Sequence, residues 1–500
     1  MAAQRFQLVH SDGAGRGRTL MKAQLRSLVV LAIAVATPVT TADVRAGLRG
    51  QAVVPEGAAR RPDVILVLTD QQRADAFGAA GATDLHTPVM DRLAREGVVF
   101  TRAFTATPQC SPSRAALLTG HYPHRTGVMG NTAGEGGRGR AGGGSPPAGM
   151  SGPLDRSLPT LGRILAAAGY ETAYFGKWHL GGTPGDYGFE SHDFTIDDPT
   201  LARRVVAFLQ KRPGSGPRKP LFLIVSWLNP HDIYDVFTAA PPGARALAAA
   251  RLPSNLADDL SRKPFPQRHY LAEDQGKPFV AAGHDVWRRY RAFYNGLVET
   301  VDREIGTVLG ALERSDVPPI TVFTTDHGDH GGAHGLPYKG PAMYEELVRV
   351  PLVVSWPGRI RPARSDALVS LIDVLPTLCD LTGVPAPDGV DGLSLRPVLE
   401  QRTDGVREAV FGEYYGKQAW RVPIRMVRTA RWKYVRYLGY GEELYDLAAD
   451  PGELRNLASE PGAASDRARL ARELDDWMRR TDDPFPKLTT TDRSGKVLKF

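Results

Sequence analysis

Four short apolar runs along the chain each end in a cluster of polar residues. Residues 63–68 (DVILVL) lead to Thr69-Asp70-Gln71-Gln72, and 172–176 (TAYFG) to Lys177-Trp178-His179. Residues 221–227 (LFLIVSW) lead to Asn229-Pro230-His231-Asp232, and 320–325 (ITVFTT) to Asp326-His327-Gly328-Asp329. Runs that are apolar throughout, without alternation, predict strands buried on both faces. Helical patterns lie between them. Thr87-Pro88 reads as a helix cap followed by a first-turn proline. In 285–314, Tyr290, Tyr294, Leu297, Val301, Ile305, Val308 and Leu312 recur every three or four positions, which predicts one long helix with an apolar stripe. Strands alternating with helices predict an α/β fold, with a large, mostly parallel central sheet flanked by helices. In such sheets ligands bind beyond the carboxyl ends of the strands, and here those ends carry Asp, Gln, Lys and His.

The pattern changes after about residue 400. Residues 424–438 alternate like an antiparallel hairpin, 442–453 add a short strand and turn, and 464–480 predict a final helix. These are expected to form a smaller α+β subdomain, 401–500, with an antiparallel sheet behind a catalytic domain of 60–400. The Gly-rich segment 132–152 and residues 211–220 read as loops. Residues 235–284 read as an irregular insertion near the site.

Composition narrows the setting. The chain has 500 residues, 42% of them hydrophobic, enough for a sizeable core. Its formal net charge of +7 suits an anionic partner. The basic residues are scattered and not interleaved with aromatics, which argues against nucleic acid. From Met21, Lys22 and Arg26 precede an apolar run, Leu28–Ala36, and then small residues to Ala42. That order predicts a secretory signal peptide at about 21–42, with 1–20 an upstream extension. The run is shorter than the ~20 residues that span a bilayer, so an exported protein, periplasmic or extracellular, without a stable membrane anchor is expected.

Only two cysteines occur, Cys110 and Cys379. Cys379 falls in an apolar helical pattern and reads as a buried thiol. Cys110 opens "CSPSRAALLTG" at a predicted helix start. From the residues alone it is a metal ligand, half of a Cys110–Cys379 disulfide, a thiol nucleophile or the precursor of a modified residue. Asp70 and Gln71 at one strand end and Asp326 and His327 at another offer mostly oxygen donors for a divalent cation. Oxygen-rich sets favour calcium, magnesium or manganese, and each nitrogen shifts the preference toward transition metals.

The segment "CSPSRAALLTG" resembles the Cys-x-Pro-Ser-Arg-x-x-x-Leu-x-Gly motif of type I sulfatases, members of the alkaline-phosphatase superfamily. "LTDQQRADAFG", "GKWHLGG", "NPH", "TTDHGDHGGAHG", "KGPAMYEELVRVPLVV" and "ELYDLAADPGE" resemble further segments of that family in the same order, so the likeness covers about 62–460. It implies a sulfuric ester hydrolase in which Cys110 is oxidised to formylglycine (3-oxoalanine) by a formylglycine-generating enzyme acting on the unfolded chain. The hydrated aldehyde supplies one hydroxyl to attack sulfur and a second whose deprotonation releases sulfate. The resemblance assigns Asp70, Gln71, Asp326 and His327 to one cation, most simply calcium. It assigns Arg114 to steadying the diol, Lys177 and His179 to supporting and deprotonating it, and His231 and Lys339 to the sulfate and its leaving oxygen, with His231 the general acid. Asn131 falls where some relatives set a polar group against the substrate. Many sulfatases carry Asp-Asp and Asp-Asn where this chain has Asp70-Gln71 and Asp326-His327. This version resembles choline sulfatases, some polysaccharide sulfatases and phosphonate monoester hydrolases. The alternative activity is therefore a phosphonate monoester or phosphodiester hydrolase with the same nucleophile. A basic, exported protein of this kind is expected to act on a sulfated small molecule or glycan.

Overall fold

The computed structural model describes residues 61–132, 152–212, 218–312, 317–417 and 419–500. The predicted leader and nearly all of the Gly-rich segment lie outside these residues. The strands are β1 Val64–Asp70, β2 Gly97–Phe104, β3 Glu171–Gly176, β4 Ser191–Asp193, β5 Leu221–Pro230, β6 Ile320–Thr325, β7 Arg349–Val350, β8 Leu352–Ser355, β9 Ala363–Ser370, β10 Ala409–Lys417, β11 Trp420–Thr429, β12 Trp432–Tyr437 and β13 Gly441–Asp446. The first nine form one sheet in the order β4-β3-β5-β1-β6-β8-β2-β7, with β9 also on β2. β1 runs parallel to both β5 and β6, and β3 runs parallel to β4 and β5. The far side is mixed: β8 is antiparallel to β6 and β2, while β9 is parallel to β2. The expected α/β fold with a mostly parallel sheet is what forms. The four strands read from the apolar runs are β1, β3, β5 and β6, which lie together.

Burial explains why those four were legible. Every residue of β1, from Val64 to Asp70, is buried. Val64, Leu66 and Leu68 face one core, with Leu117 and Leu375. Ile65 and Val67 face the other, against the helix His284–Leu312. That helix matches the predicted stripe, except that Val298 is buried and Leu297 only half-buried. Strand β9 begins with Ala-Arg-Ser-Asp, whose side chains are not buried, so it carried no continuous apolar signal.

Helix Pro88–Glu96 starts where Thr87-Pro88 predicts, but Thr87 does not cap it. The Thr87 hydroxyl instead accepts from the Gly78 N–H at 2.9 Å, and the first turn is capped from afar. Asp302, on the long helix, accepts from Val89 and Met90 N–H at 3.2 and 2.8 Å. Residues 235–284 are less irregular than expected. They contain helices Ala244–Ala249 and Phe265–Glu273 and short 3₁₀ turns.

Strands β10–β13 form the expected separate antiparallel sheet. One face, with Tyr414, Ile424, Met426 and Tyr445, packs on Phe104, Tyr344 and Leu347. The other, with Phe411, Val427, Tyr434 and Leu444, packs on Leu470, Leu474 and Trp477 of the final helix Ala464–Arg480. Both faces are buried, so this sheet joins the rest in one compact unit, Arg60–Phe500. Beyond the final helix, Asp483 makes a two-pronged pair with Arg425, at 2.5 and 2.7 Å, and both side chains are fully buried. Removing one member strands the other charge in the interior. Asp483→Ala should therefore destabilise the protein by about 3–5 kcal/mol, read as a lower denaturant midpoint. A loss below about 1 kcal/mol would show that the pair is not buried in solution.

Candidate active site

The parallel register decides which polar ends meet. Val64 of β1 stands beside Phe222 of β5 and Ile320 of β6, so these strands finish level. Asp70 is the last residue of β1 and Asp326 follows β6 directly. The Asp326 N–H donates to Thr69 carbonyl at 3.3 Å, which sets the two carboxylates side by side. Gln71 then turns with φ of 68°, a left-handed conformation that a non-glycine residue adopts only when other bonds hold it. Here the Tyr294 hydroxyl donates to its carbonyl at 2.8 Å and its own N–H donates to Asp326 Oδ1 at 3.1 Å.

The helix Cys110–Thr119 points its N-terminus at this corner. Gln109 is the extended residue before it, and Asn131 Oδ1 accepts from Ser111 N–H at 3.1 Å. The motif has a geometric reading. Cys110, Ser113 and Arg114 are three and four positions apart and share a face. The Ser113 hydroxyl donates to the Asp326 carbonyl at 2.6 Å. Arg114, 2% exposed, donates from Nε to Asp326 Oδ2 at 2.8 Å and from Nη2 to Asp70 Oδ2 at 2.9 Å. Its Nη1 donates to Lys177 carbonyl at 2.9 Å and Ser226 Oγ at 2.7 Å. Arg114 thus grips both carboxylates, and its link to Cys110 runs through Asp70.

Around Cys110 Sγ stand Lys339 Nζ at 2.9 Å, His327 Nε2 at 3.3 Å, Lys177 Nζ at 3.7 Å and Asp70 Oδ1 at 3.8 Å. Burial and the Asp70 carboxylate push the thiol up, yet Lys177, Lys339 and His327 pull it well below its ordinary range. The two lysines would stabilise any negative oxygen formed there. Lys177 also grips Asp70 Oδ2 at 2.5 Å. Against the opposing effect of burial, Lys177, His231, Lys339 and Arg114 hold Asp70 well below the usual carboxylate range. Asp326 moves the other way, up to about 6, driven by burial and then by Asp70. His179 is lowered by burial first, against its contact with Cys110, and its Nδ1 is buried without a partner. Burial first, and then Lys177 and Lys339, push His231 well below the usual imidazole range, although Asp70 and Cys110 oppose this.

The donor set fits a divalent cation. Ligand atoms of Asp70, Cys110, Asp326 and His327, all buried, lie within 4.8 Å of one another. His327 Nδ1 bonds the Gly328 carbonyl at 2.8 Å. A carbonyl only accepts, so Nδ1 carries the proton and Nε2 presents a lone pair to the cluster. That lone pair takes a bond from Lys339 at 3.0 Å, so Lys339 and a cation are alternative partners for it. Gln71 sends its amide nitrogen to Asp329 at 2.7 Å, which leaves Oε1 buried and without a donor. An orphaned acceptor beside two repelling carboxylates is what a cation would satisfy.

The supporting residues were not legible in the sequence. Ser226 inside β5, Asp329, Tyr290 and Tyr294 orient Arg114 and Gln71 from elements distant in sequence. The Asp329 carboxylate, which takes the Gln71 amide, is itself fixed by the Tyr290 hydroxyl at 2.9 Å. His330 and His334, near the site in sequence, face away from this cluster. His334 bonds Asp258 at 2.7 Å and stacks on Tyr344, and both His330 nitrogens are buried without partners. Both cysteines are free and buried, so no Cys110–Cys379 bridge exists here.

The family model "Sulfatase" matches residues 62–384, and that of "N-sulphoglucosamine sulphohydrolase, C-terminal" matches 332–480. Over 458 residues the chain is 30% identical to the Delta 4,5-hexuronate-2-O-sulfatase of Bacteroides thetaiotaomicron, covering 86% of this chain and 92% of that protein. It is 28% identical to the choline-sulfatase of Rhizobium meliloti, covering 82% and 85%. Among solved structures, a 2-O GAG sulfatase superposes with a TM-score of 0.75 at 28% identity, covering 86% of this chain and 95% of that one. A phosphonate monoester hydrolase of Agrobacterium radiobacter shares the fold, with a TM-score of 0.66 at 23% identity. A family model spanning most of the chain and relatives aligned nearly end to end make this protein a member of the sulfatase family, the sulfuric ester hydrolases of alkaline-phosphatase-like fold.

Proposed function

We propose that the protein is an exported sulfatase acting on sulfate esters of carbohydrates, with Cys110 converted to formylglycine and one divalent cation, calcium by preference. The observation that carries the reading is the meeting of Cys110 with Asp70, Asp326 and His327 between buried Lys177 and half-buried Lys339. Support for a carbohydrate substrate comes from the hexuronate sulfatase relative. Support for export comes from the order of residues over 21–42.

Asp70, Gln71, Asp326 and His327 would hold the cation, which supplies Lewis-acid polarisation of a sulfate oxygen. Cys110, once converted to formylglycine and hydrated, would offer two hydroxyls, one as the nucleophile toward sulfur and one whose loss of a proton would release the sulfate. The chain's own groups do the rest. Lys177 and Lys339 hold negative oxygen by charge. Arg114 keeps Asp70 and Asp326 in place. His179, which burial pushes down and which contacts Cys110, accepts the proton of the second hydroxyl, and Lys177 supports the oxygen that loses it. His231 gives a proton to the leaving oxygen. The negative charge of the bound ester raises its proton affinity, which burial and the lysines otherwise lower. Asn131 faces the substrate with its amide nitrogen while its oxygen holds the helix start. The rival phosphonate or phosphodiester activity uses the same nucleophile. A phosphodiester hydrolysed with a higher kcat/KM than any sulfate ester would favour it.

Asp326→Asn should lose bound metal and at least about 10³-fold in kcat while keeping its melting temperature within a few degrees. Full metal content measured by elemental analysis would remove Asp326 from the ligand set. His231→Ala should slow alkyl or sugar sulfates by about 10²–10⁴ and spare aryl sulfates with good leaving groups, because only poor leaving groups need a proton. Equal losses on both would move the role to Lys339 or His179.

For Cys110, peptide mass from active enzyme should show an aldehyde in place of the thiol. Cys110→Ser should accept sulfate at most once, and Cys110→Ala not at all, with the folded state intact in both. Sustained turnover by either variant would refute the formylglycine mechanism. Killing of the native enzyme by alkylating agents but not by aldehyde reagents would identify a thiol nucleophile instead.

A further inference from the structure

One cation beside the nucleophile is unused by this mechanism. Strand β10 loses register with β11 between Tyr414 and Gly416. Such bulges redirect the side chains that follow. Gly416 adopts φ of 138°, and a Cβ there would meet the Trp420 carbonyl oxygen at 2.2 Å, so only glycine fits. The bulge delivers the hairpin end to the nucleophile helix, where Gln109 Nε2 donates to Gly416 carbonyl at 3.2 Å. The next residue is Lys417. Its amine nitrogen is buried and has no hydrogen-bond partner, although four other charged or reactive groups act on it: Asp274, Lys339, Arg493 and Cys110. The one carboxylate among these, Asp274, is engaged by Arg493 at 3.4 Å. Burial pulls the Lys417 amine down to about 8. Gln109 Oε1, on the side chain that tethers the hairpin, is likewise buried and accepts no bond. A buried, unpaired ammonium and a buried, unpaired amide oxygen are both costly unless something else supplies their partners.

We infer that Lys417 and Gln109 form a second subsite, in which Lys417 binds a second anionic group of the substrate and Gln109 accepts a bond from an adjacent hydroxyl. The inference rests on the sulfatase reading above. It narrows the substrate to a saccharide that carries, beside the ester being cleaved, another carboxylate or sulfate. The two anions share one chemistry, a negative oxygen paired with a primary ammonium. Around Lys417 the cations Lys339 and Arg493 outnumber the one carboxylate, Asp274, so this subsite favours a second anion.

The test compares wild type with Lys417→Met, which keeps the length of the stem and removes the charge, and with Lys417→Arg, which keeps the charge. Three substrates are used: an aryl sulfate with no second anion, a 2-sulfated uronate with a carboxylate but no second sulfate, and a disulfated amino sugar with no carboxylate. Lys417→Met should lose roughly 10- to 100-fold in kcat/KM on the dianions, mainly through KM, and no more than about twofold on the aryl sulfate. Lys417→Arg should recover most of it. Loss on the uronate alone identifies a carboxylate, on the disulfate alone a second sulfate, and on both a subsite that reads only charge. Equal loss on all three substrates, or loss on none, overturns the inference. If the wild type cleaves the aryl sulfate alone, inhibition of that reaction by the two sugars gives the same comparison, and inhibition unchanged by Lys417→Met overturns it. A wild type that cleaves no sulfate ester overturns the sulfatase reading itself.

Discussion

The buried guanidinium of Arg114 is the interaction on which the rest of the site depends. It lies between Asp70 and Asp326, at 2.9 and 2.8 Å, with its remaining donors on Lys177 carbonyl and Ser226. Taking a guanidinium and two carboxylates out of water costs several kcal/mol per ion, and such a cluster persists only when nearly every donor and acceptor is matched. Four of these bonds come from four different chain segments. The clamp therefore holds the ends of β1, β3, β5 and β6 together with the helix that carries Cys110. The arrangement is rigid because loosening any one segment would leave a charge unpaired in the interior.

The second constraint is charge. Two carboxylates repel each other, while Lys177, Lys339 and Arg114 attract both them and any arriving anion. Asp70 is pulled down and Asp326 pushed up, so the two carboxylates are held uneven. The lysines make the centre electropositive beside Cys110. Lys339 is itself positioned from outside the central sheet. Five residues beyond the Gly340 that follows it, Glu345 is paired with Lys433 of β12 at 2.8 Å, and Lys433 also meets Glu453 at 2.7 Å. The antiparallel sheet thereby braces the segment that follows Lys339, and its bulged hairpin end reaches Gln109, just before the Cys110 helix.

Legibility followed burial and locality. The strands β1, β3, β5 and β6 could be read because both of their faces are covered, which writes a continuous apolar run into the sequence. β9 could not, because half of it alternates at an exposed edge. The long helix showed its stripe, yet a one-residue shift from Leu297 to Val298 went unseen, since both are apolar and only packing separates them. Thr87 marked a helix start correctly while its hydroxyl serves Gly78, because a cap can come from a distant residue such as Asp302.

The sequence by itself determined the chemistry available: which acids and bases stand at strand ends, and the Cys-x-x-Ser-Arg spacing that sets Cys110, Ser113 and Arg114 on one helix face. Local steric rules and periodicity are properties of neighbouring residues, so they survive without coordinates. Tertiary structure alone decided what each group touches. It turned Arg114 from a partner of the nucleophile into a clamp on two carboxylates, gave Gln71 an orphaned oxygen by tying its nitrogen to Asp329, turned His334 toward Asp258, and left Lys417 buried without a partner. Those outcomes depend on sheet register and on contacts between residues scores to hundreds of positions apart, and a distance of that kind leaves no local pattern in the chain.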